Sequence, residues 1–180
     1  SGGVDSSVAA LLLKNAGYKI TMIKADPYLN VDAGTMNPIE HGETFVLEDG
    51  FETDMDIGSY ERFTNEKFTR ENSMTLGAVL QKVIKDEREL AYEGKWVSFD
   101  YHVPEQIVSW IKQVGDNKKA DIIIIEIGGT VGETGNNIFL EANRMMYVEN
   151  PMNVAHIHVS FLPVPNTLGE MKSKPVQMSV

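Results

Sequence analysis

Three carboxylates and one lysine carry the most specific chemistry in this chain: Asp54, Asp56, Glu126 and Lys24. Asp54 and Asp56 stand two residues apart, so an extended backbone points both the same way. Glu126 follows four consecutive isoleucines, where a charge without a partner is costly to bury. Hard oxygen donors of this kind suit Mg²⁺, which takes one or two protein carboxylates and completes its shell with water and phosphate. The same residues would also serve as turn formers (Asp54, Asp56) and as the partner of an arginine (Glu126). Residue chemistry alone leaves both readings open. Lys24 precedes Asp26 by two residues at the end of an apolar stretch, as a phosphate-binding point charge would, or as a solvated lysine at a strand end.

Other groups add to these. At the start, Gly2, Gly3, Ser6 and Ser7 form a glycine turn leading into a helix, where close backbone approach and free N–H groups receive an anion. Near the other end, Lys172, Lys174 and Gln177 present two cations and an amide from what reads as an extended segment, suited to a triphosphate and a pyrimidine edge or simply to solvent. His41, between Glu40 and Gly42, is a lone loop histidine. There is no cysteine, which removes disulfides, thiolate zinc sites and a cysteine nucleophile together.

The elements that must position these residues are legible from periodicity. Val8 to Leu13 fill a helix that Gly17 closes. Residues 19–24 alternate as a strand. Residues 24–63 are acidic and aperiodic, yet carry Tyr28, Phe45, Phe51, Tyr60 and Phe63; linkers are poor in aromatics, so this stretch reads as a site. Helical spacing follows over residues 76–92, a strand over 96–101, and a helix with Pro104 at its first position. Residues 121–127 read as a parallel strand buried on both faces, 137–147 as a helix and 156–162 as a strand. Alternating strands and helices mean an α/β fold with a mostly parallel sheet flanked by helices. Lys24 with Asp26, and Glu126 with Gly128, then lie at strand carboxyl ends, where such sheets bind ligands.

A chain of 180 residues with 42% hydrophobic content supports one domain with a true core. The net charge of -10 argues against a duplex nucleic-acid surface. No apolar run approaches the roughly 18 residues of a membrane span, and no basic segment opens a leader peptide. The chain reads as cytoplasmic, with no nucleic-acid or membrane partner.

Five strings sharpen the reading: Lys24 to Tyr28; Gly34 to Glu43; Glu52 to Phe63; Glu126 to Gly132 followed by Phe139 to Ala142; and Gly169-Glu170 with Lys172, Lys174, Pro175, Gln177 and Ser179. In this order they resemble the amino-terminal amidoligase (synthetase) domain of the CTP synthases, over residues 19–180. The resemblance implies a three-layer, P-loop-NTPase-like (Rossmann-like) domain that aminates UTP to CTP. ATP phosphorylates UTP O4 and ammonia displaces the phosphate. It implies Lys24 on the ATP phosphates, Asp54 and Asp56 beside the nucleotide, Mg²⁺ on Asp56 and Glu126, and His41 near the path of ammonia. It also implies a UTP/CTP site built between subunits from Glu133, Lys172, Lys174 and Gln177, hence a homotetramer. Ammonia would come from a glutaminase domain that this chain does not include, and both ends read as cut. Thr134 and Gly135 stand where the family has Ile and Glu, a departure that bears on pyrimidine affinity.

The opening differs. Residues 1–17 lack the family's phosphate-loop lysine and instead resemble the pyrophosphate loop of N-type ATP pyrophosphatases, enzymes that adenylate a carbonyl and release pyrophosphate. That activity, and a non-catalytic nucleotide-binding fragment, are the alternatives to CTP formation.

Overall fold

Strand β1 (Ile20–Asp26) is buried along its whole length because parallel strands cover both of its edges and helices cover both of its faces. The structure, a computed structural model, describes residues 3–164, 171 and 173–179. Its main sheet has the order β4-β1-β5, with β4 at Ser73–Thr75 and β5 at Ile122–Ile127. Period-two alternation divides β1 between two cores. Ile23 and Ala25 pack with Val79 and Val83 of α4 (Leu76–Arg88), Val103, Ile107 and Ile111 of α5 (Phe99–Lys118), and Phe139 of α6 (Thr134–Glu149). Ile20 and Met22 face the opposite way, toward Ala10 of α1 (Val4–Asn15) and Ile57 and Tyr60 of α3 (Met55–Thr64). Helices on both faces of a parallel sheet make the expected three-layer α/β architecture.

Within the acidic, aperiodic stretch the chain forms short elements. A one-turn helix α2 (Pro38–His41) starts on proline, and β2 (Thr44–Val46) pairs antiparallel with β3 (Glu52–Asp54). Three-residue strands are too short to display a periodicity, and β4 escapes sequence reading for the same reason. The Asp54 carboxylate then accepts from the Asp56 N–H and starts α3, which Asn65 closes in the left-handed conformation.

Several expected elements differ. Residues 96–101 form no strand; α5 begins at Phe99, and Pro104 lies inside it instead of at its first position. Residues 154–164 form no regular element, and Ile157 and Phe161 are each 83% exposed, because the alternating segment engages no neighbouring strand. Strand β5 is parallel as expected but half-buried throughout, since it is the edge of the sheet among the described residues. Helix α1 does not bury Val8 and Leu12. Its small residues Ser7 and Ala10 are buried instead, letting it lie close to α3. Lys174 to Ser179 is a short helix, α7, not an extended segment.

Candidate active site

On the α3 side of the sheet, β1 presents Ile20, Met22, Lys24 and Asp26 in turn, and β5 presents Ile122, Ile124 and Glu126. An apolar row thus gives way to charge at the carboxyl ends of both strands, with Lys24 and Glu126 in register. Lys24 is only 4% exposed, which overturns the solvated reading. Its ammonium meets Asp26 Oδ1 at 3.3 Å and Asp54 Oδ2 at 3.2 Å, and donates a third, short hydrogen bond to Asp56. Burial by itself would lower the lysine pKa, but Asp26, Asp54 and Asp56 outweigh it and hold the ammonium above its ordinary value.

Asp54 and Asp56 reach Lys24 without the extended backbone the spacing called for. One ends β3 and caps α3, while the other lies in the first turn of that helix. The two stand where the strand passes into the helix, and both belong to the charged cluster. Asp26, the neighbour of Lys24 along β1, is a member of equal standing. Burial pushes its carboxyl up to about 6 against the pull of Lys24, and the Tyr28 hydroxyl lies at 3.4 Å. Gly128 faces it so closely that a Cβ there would stand 2.6 Å from Asp26 Oδ1. Among the described residues Glu126 pairs with no arginine. It accepts at 2.7 Å from the hydroxyl of Tyr60, a fully buried residue one helical turn beyond Asp56. The signal for Asp26 was its strand spacing of two from Lys24, and for Tyr60 its helix spacing of four from Asp56.

The start of α1 closes the site. Gly3, at φ 71°, is its N-cap and makes no side-chain cap, so the first N–H groups of the helix lack that partner. A Cβ on Gly3 would lie 3.0 Å from both Asp56 Cβ and Tyr60 Cε1, which puts this helix terminus against α3. The Ser7 hydroxyl is buried and donates to the Gly3 carbonyl at 2.5 Å. Ser6 is half-buried, and Gly2 lies outside the described residues.

Beyond β5, the glycine loop leads to the exposed Glu133, the N-cap of α6, whose carboxylate folds over Gly129. Gly135 has a packing reason, because a Cβ would come within 2.7 Å of the Pro27 carbonyl. Lys174 is exposed, Gln177 bonds back to Ser173, and Lys172 lies outside the described residues. His41 ends α2, and its side chain too lies outside what is described.

The donor set fits Mg²⁺ in one way only. Asp56 and Glu126 supply hard oxygens on the same sheet face, and four carboxylates surround or adjoin a single lysine, an excess of negative charge that calls for a cation. Among the described residues no group of three or more His, Cys, Asp or Glu could hold a metal by itself, so phosphate or water would complete the shell.

Known proteins share this arrangement of sequence. The family described as CTP synthase N-terminus matches residues 1–180. The chain belongs to that family. Among curated CTP synthases, it is 50% identical to that of Prochlorococcus marinus (strain MIT 9312) over its full length and 35% of the relative. It is 49% identical to that of Sulfolobus acidocaldarius, with 100% and 36% covered. The enzyme of Methanococcoides burtonii is 45% identical, with 99% and 33% covered. The chain therefore spans about a third of the length of these relatives. The match begins at residue 1 and so takes in the opening that had read as a pyrophosphate loop. The first alignment runs over 189 residues, longer than the chain, so that relative carries residues missing from this chain. Among the described residues no helix is long and apolar enough to cross a membrane.

Proposed function

We propose that the chain is the amidoligase domain of a CTP synthase, binding ATP and UTP and catalysing ATP-dependent amination of UTP at C4. The observation that carries this reading is the meeting of Lys24, Asp56, Glu126 and the uncapped start of α1 at one end of the sheet. In this proposal Asp56 and Glu126 hold Mg²⁺, which supplies charge neutralisation on the ATP phosphates. Lys24 exchanges part of its contact with Asp56 for a phosphate oxygen, and the N–H groups of α1 receive another. Asp26 and Asp54 keep the ammonium aimed at the site throughout. Fixed charges of this kind, aimed before the reaction starts, are the protein's main contribution to phosphoryl transfer. The γ-phosphoryl group passes to UTP O4, and ammonia then displaces it as phosphate to give CTP.

Ammonia would be delivered by a separate glutaminase domain, and Glu133, Lys172, Lys174, Gln177 and His41 would complete the pyrimidine site and ammonia path in a tetramer. The test is a spectrophotometric assay of CTP formation with UTP, ATP, Mg²⁺ and ammonium, with Glu126→Ala in parallel. Equal rates for both proteins would remove the assigned role of Glu126. Release of AMP and pyrophosphate in place of ADP and phosphate would select the adenylating alternative. Nucleotide binding without turnover, seen by calorimetry, would select a binding fragment.

A further inference from the structure

Tyr60 has no polar reason to be where it is unless Glu126 needs it. The ring is fully buried, and Phe68 meets it edge-on at 6.2 Å with an interplanar angle of 81°. Gly3 packs against its Cε1 edge. Packed in this way, the ring directs its hydroxyl to Glu126 Oε2, to which it donates at 2.7 Å. Among the described residues this is the one hydrogen bond of the Glu126 carboxylate. The same helix turn carries Asp56, four residues earlier, and Asp56 is bonded to Lys24, the register partner of Glu126. The result is a closed circuit from α3 to β1 to β5 and back to α3.

We propose that Tyr60 is the positioning residue of the cation site: its hydroxyl holds one oxygen of Glu126, turns the other toward the cation, and ties Glu126 to the helix turn that bears Asp56. This rests on the reading of Asp56 and Glu126 as metal ligands. Partners that orient a ligand carboxylate typically change metal affinity by about 10- to 100-fold when removed, and a hydroxyl carried on a buried ring packed by Phe68 and Gly3 is well suited to that task.

The experiment is Mn²⁺ binding, followed by electron paramagnetic resonance of free Mn²⁺ in the presence of a β,γ-imido ATP analogue. Four proteins are compared: the unaltered chain, Tyr60→Phe, Glu126→Gln and the double variant. Tyr60→Phe keeps the ring and removes only the hydroxyl. The expected result is a Kd raised by about tenfold or more in Tyr60→Phe, with no further rise when Tyr60→Phe is added to Glu126→Gln. Normal binding by Tyr60→Phe with weakened binding by Glu126→Gln overturns the inference and leaves the metal assignment standing. Normal binding by both single variants removes the metal assignment itself. Independent, additive losses also overturn the inference, since Tyr60 would then act elsewhere. Should Tyr60→Phe not fold, the ¹³C resonance of the Tyr60 ring carbon bearing the hydroxyl provides a second readout. It should shift on addition of Mg²⁺ and the analogue to the unaltered chain and stay fixed in Glu126→Gln; an unshifted resonance in the unaltered chain overturns the inference.

Discussion

Lys24 and Glu126 lie side by side on adjacent parallel strands, on the same face, and each takes a different partner from α3: the ammonium is bonded to Asp56 and the carboxylate to Tyr60. Two opposite charges in register would ordinarily form the simplest pair. Here one helix turn holds them to separate tasks, and the charges stay available at the sheet's carboxyl end.

Removing the ammonium should be costly. Lys24→Met leaves Asp26, Asp54 and Asp56 close together with no cation among them. Breaking a buried ion pair by deleting one member typically destabilises by about 3–5 kcal/mol. The expected outcome is a loss of that size in urea unfolding, partly recovered when Asp26→Asn is added. A midpoint unchanged from the parent chain would show that the cluster does not hold the fold.

Stability should also respond to pH through Asp26. Its folded carboxyl titrates at about 6, above the value of about 4 for an unfolded aspartate, because burial disfavours the charge. The folded state therefore binds the proton more tightly. The associated stability is fully present below about pH 4 and is lost as pH rises through about 6. Relative to Asp26→Asn, the parent chain should lose up to about 1.4 kcal/mol per pH unit across that window. Parallel curves of unfolding free energy against pH for the two proteins would refute the assignment.

Two glycines should resist a methyl group for different reasons. At Gly128 a Cβ meets the Asp26 carboxylate, and overpacking of this kind costs about 1–3 kcal/mol. At Gly77 it meets the Leu29 carbonyl at 2.1 Å, a backbone atom that cannot turn aside. Thermal unfolding should show a larger drop for Gly77→Ala than for Gly128→Ala. Because Gly128 adjoins Asp26, its alanine variant should additionally alter the pH profile.

Nucleotide binding should depend on a divalent cation. A triphosphate approaching one lysine amid Asp26, Asp54, Asp56 and Glu126 meets net repulsion unless a cation accompanies it. Calorimetry with a non-hydrolysable ATP analogue should give an affinity at least about tenfold weaker in EDTA than in Mg²⁺, or 1.4 kcal/mol. Equal affinities would mean that the carboxylates do not face the phosphates.

The parts of this fold readable in the sequence were those written in long periods. The spacing of Val79, Val83, Ile107 and Ile111 announced two helices, and the isoleucines of β5 announced a parallel strand. Lys24, Asp56 and Glu126 were picked out by type and position. What escaped was set by tertiary contact. Nothing in the spacing of Asp54 and Asp56 tells that a strand-to-helix turn delivers both to Lys24, or that Glu126 would choose a tyrosine over an arginine. The alternation of Ile157, Val159 and Phe161 promised a strand, but a strand exists only where another lends it a ladder. Pro104 misled because it marks helix starts more often than helix interiors.

The outer edge of β5 has a wider consequence. Its amide and carbonyl groups on that side have no strand beside them among the described residues, and the run of four isoleucines lies directly along it. Such an edge is a template for any extended peptide that drifts past, including another molecule of the same kind. Concentrated solutions of this chain should therefore thicken with time into assemblies that bind thioflavin T, and a lysine in place of Ile123 should delay their onset.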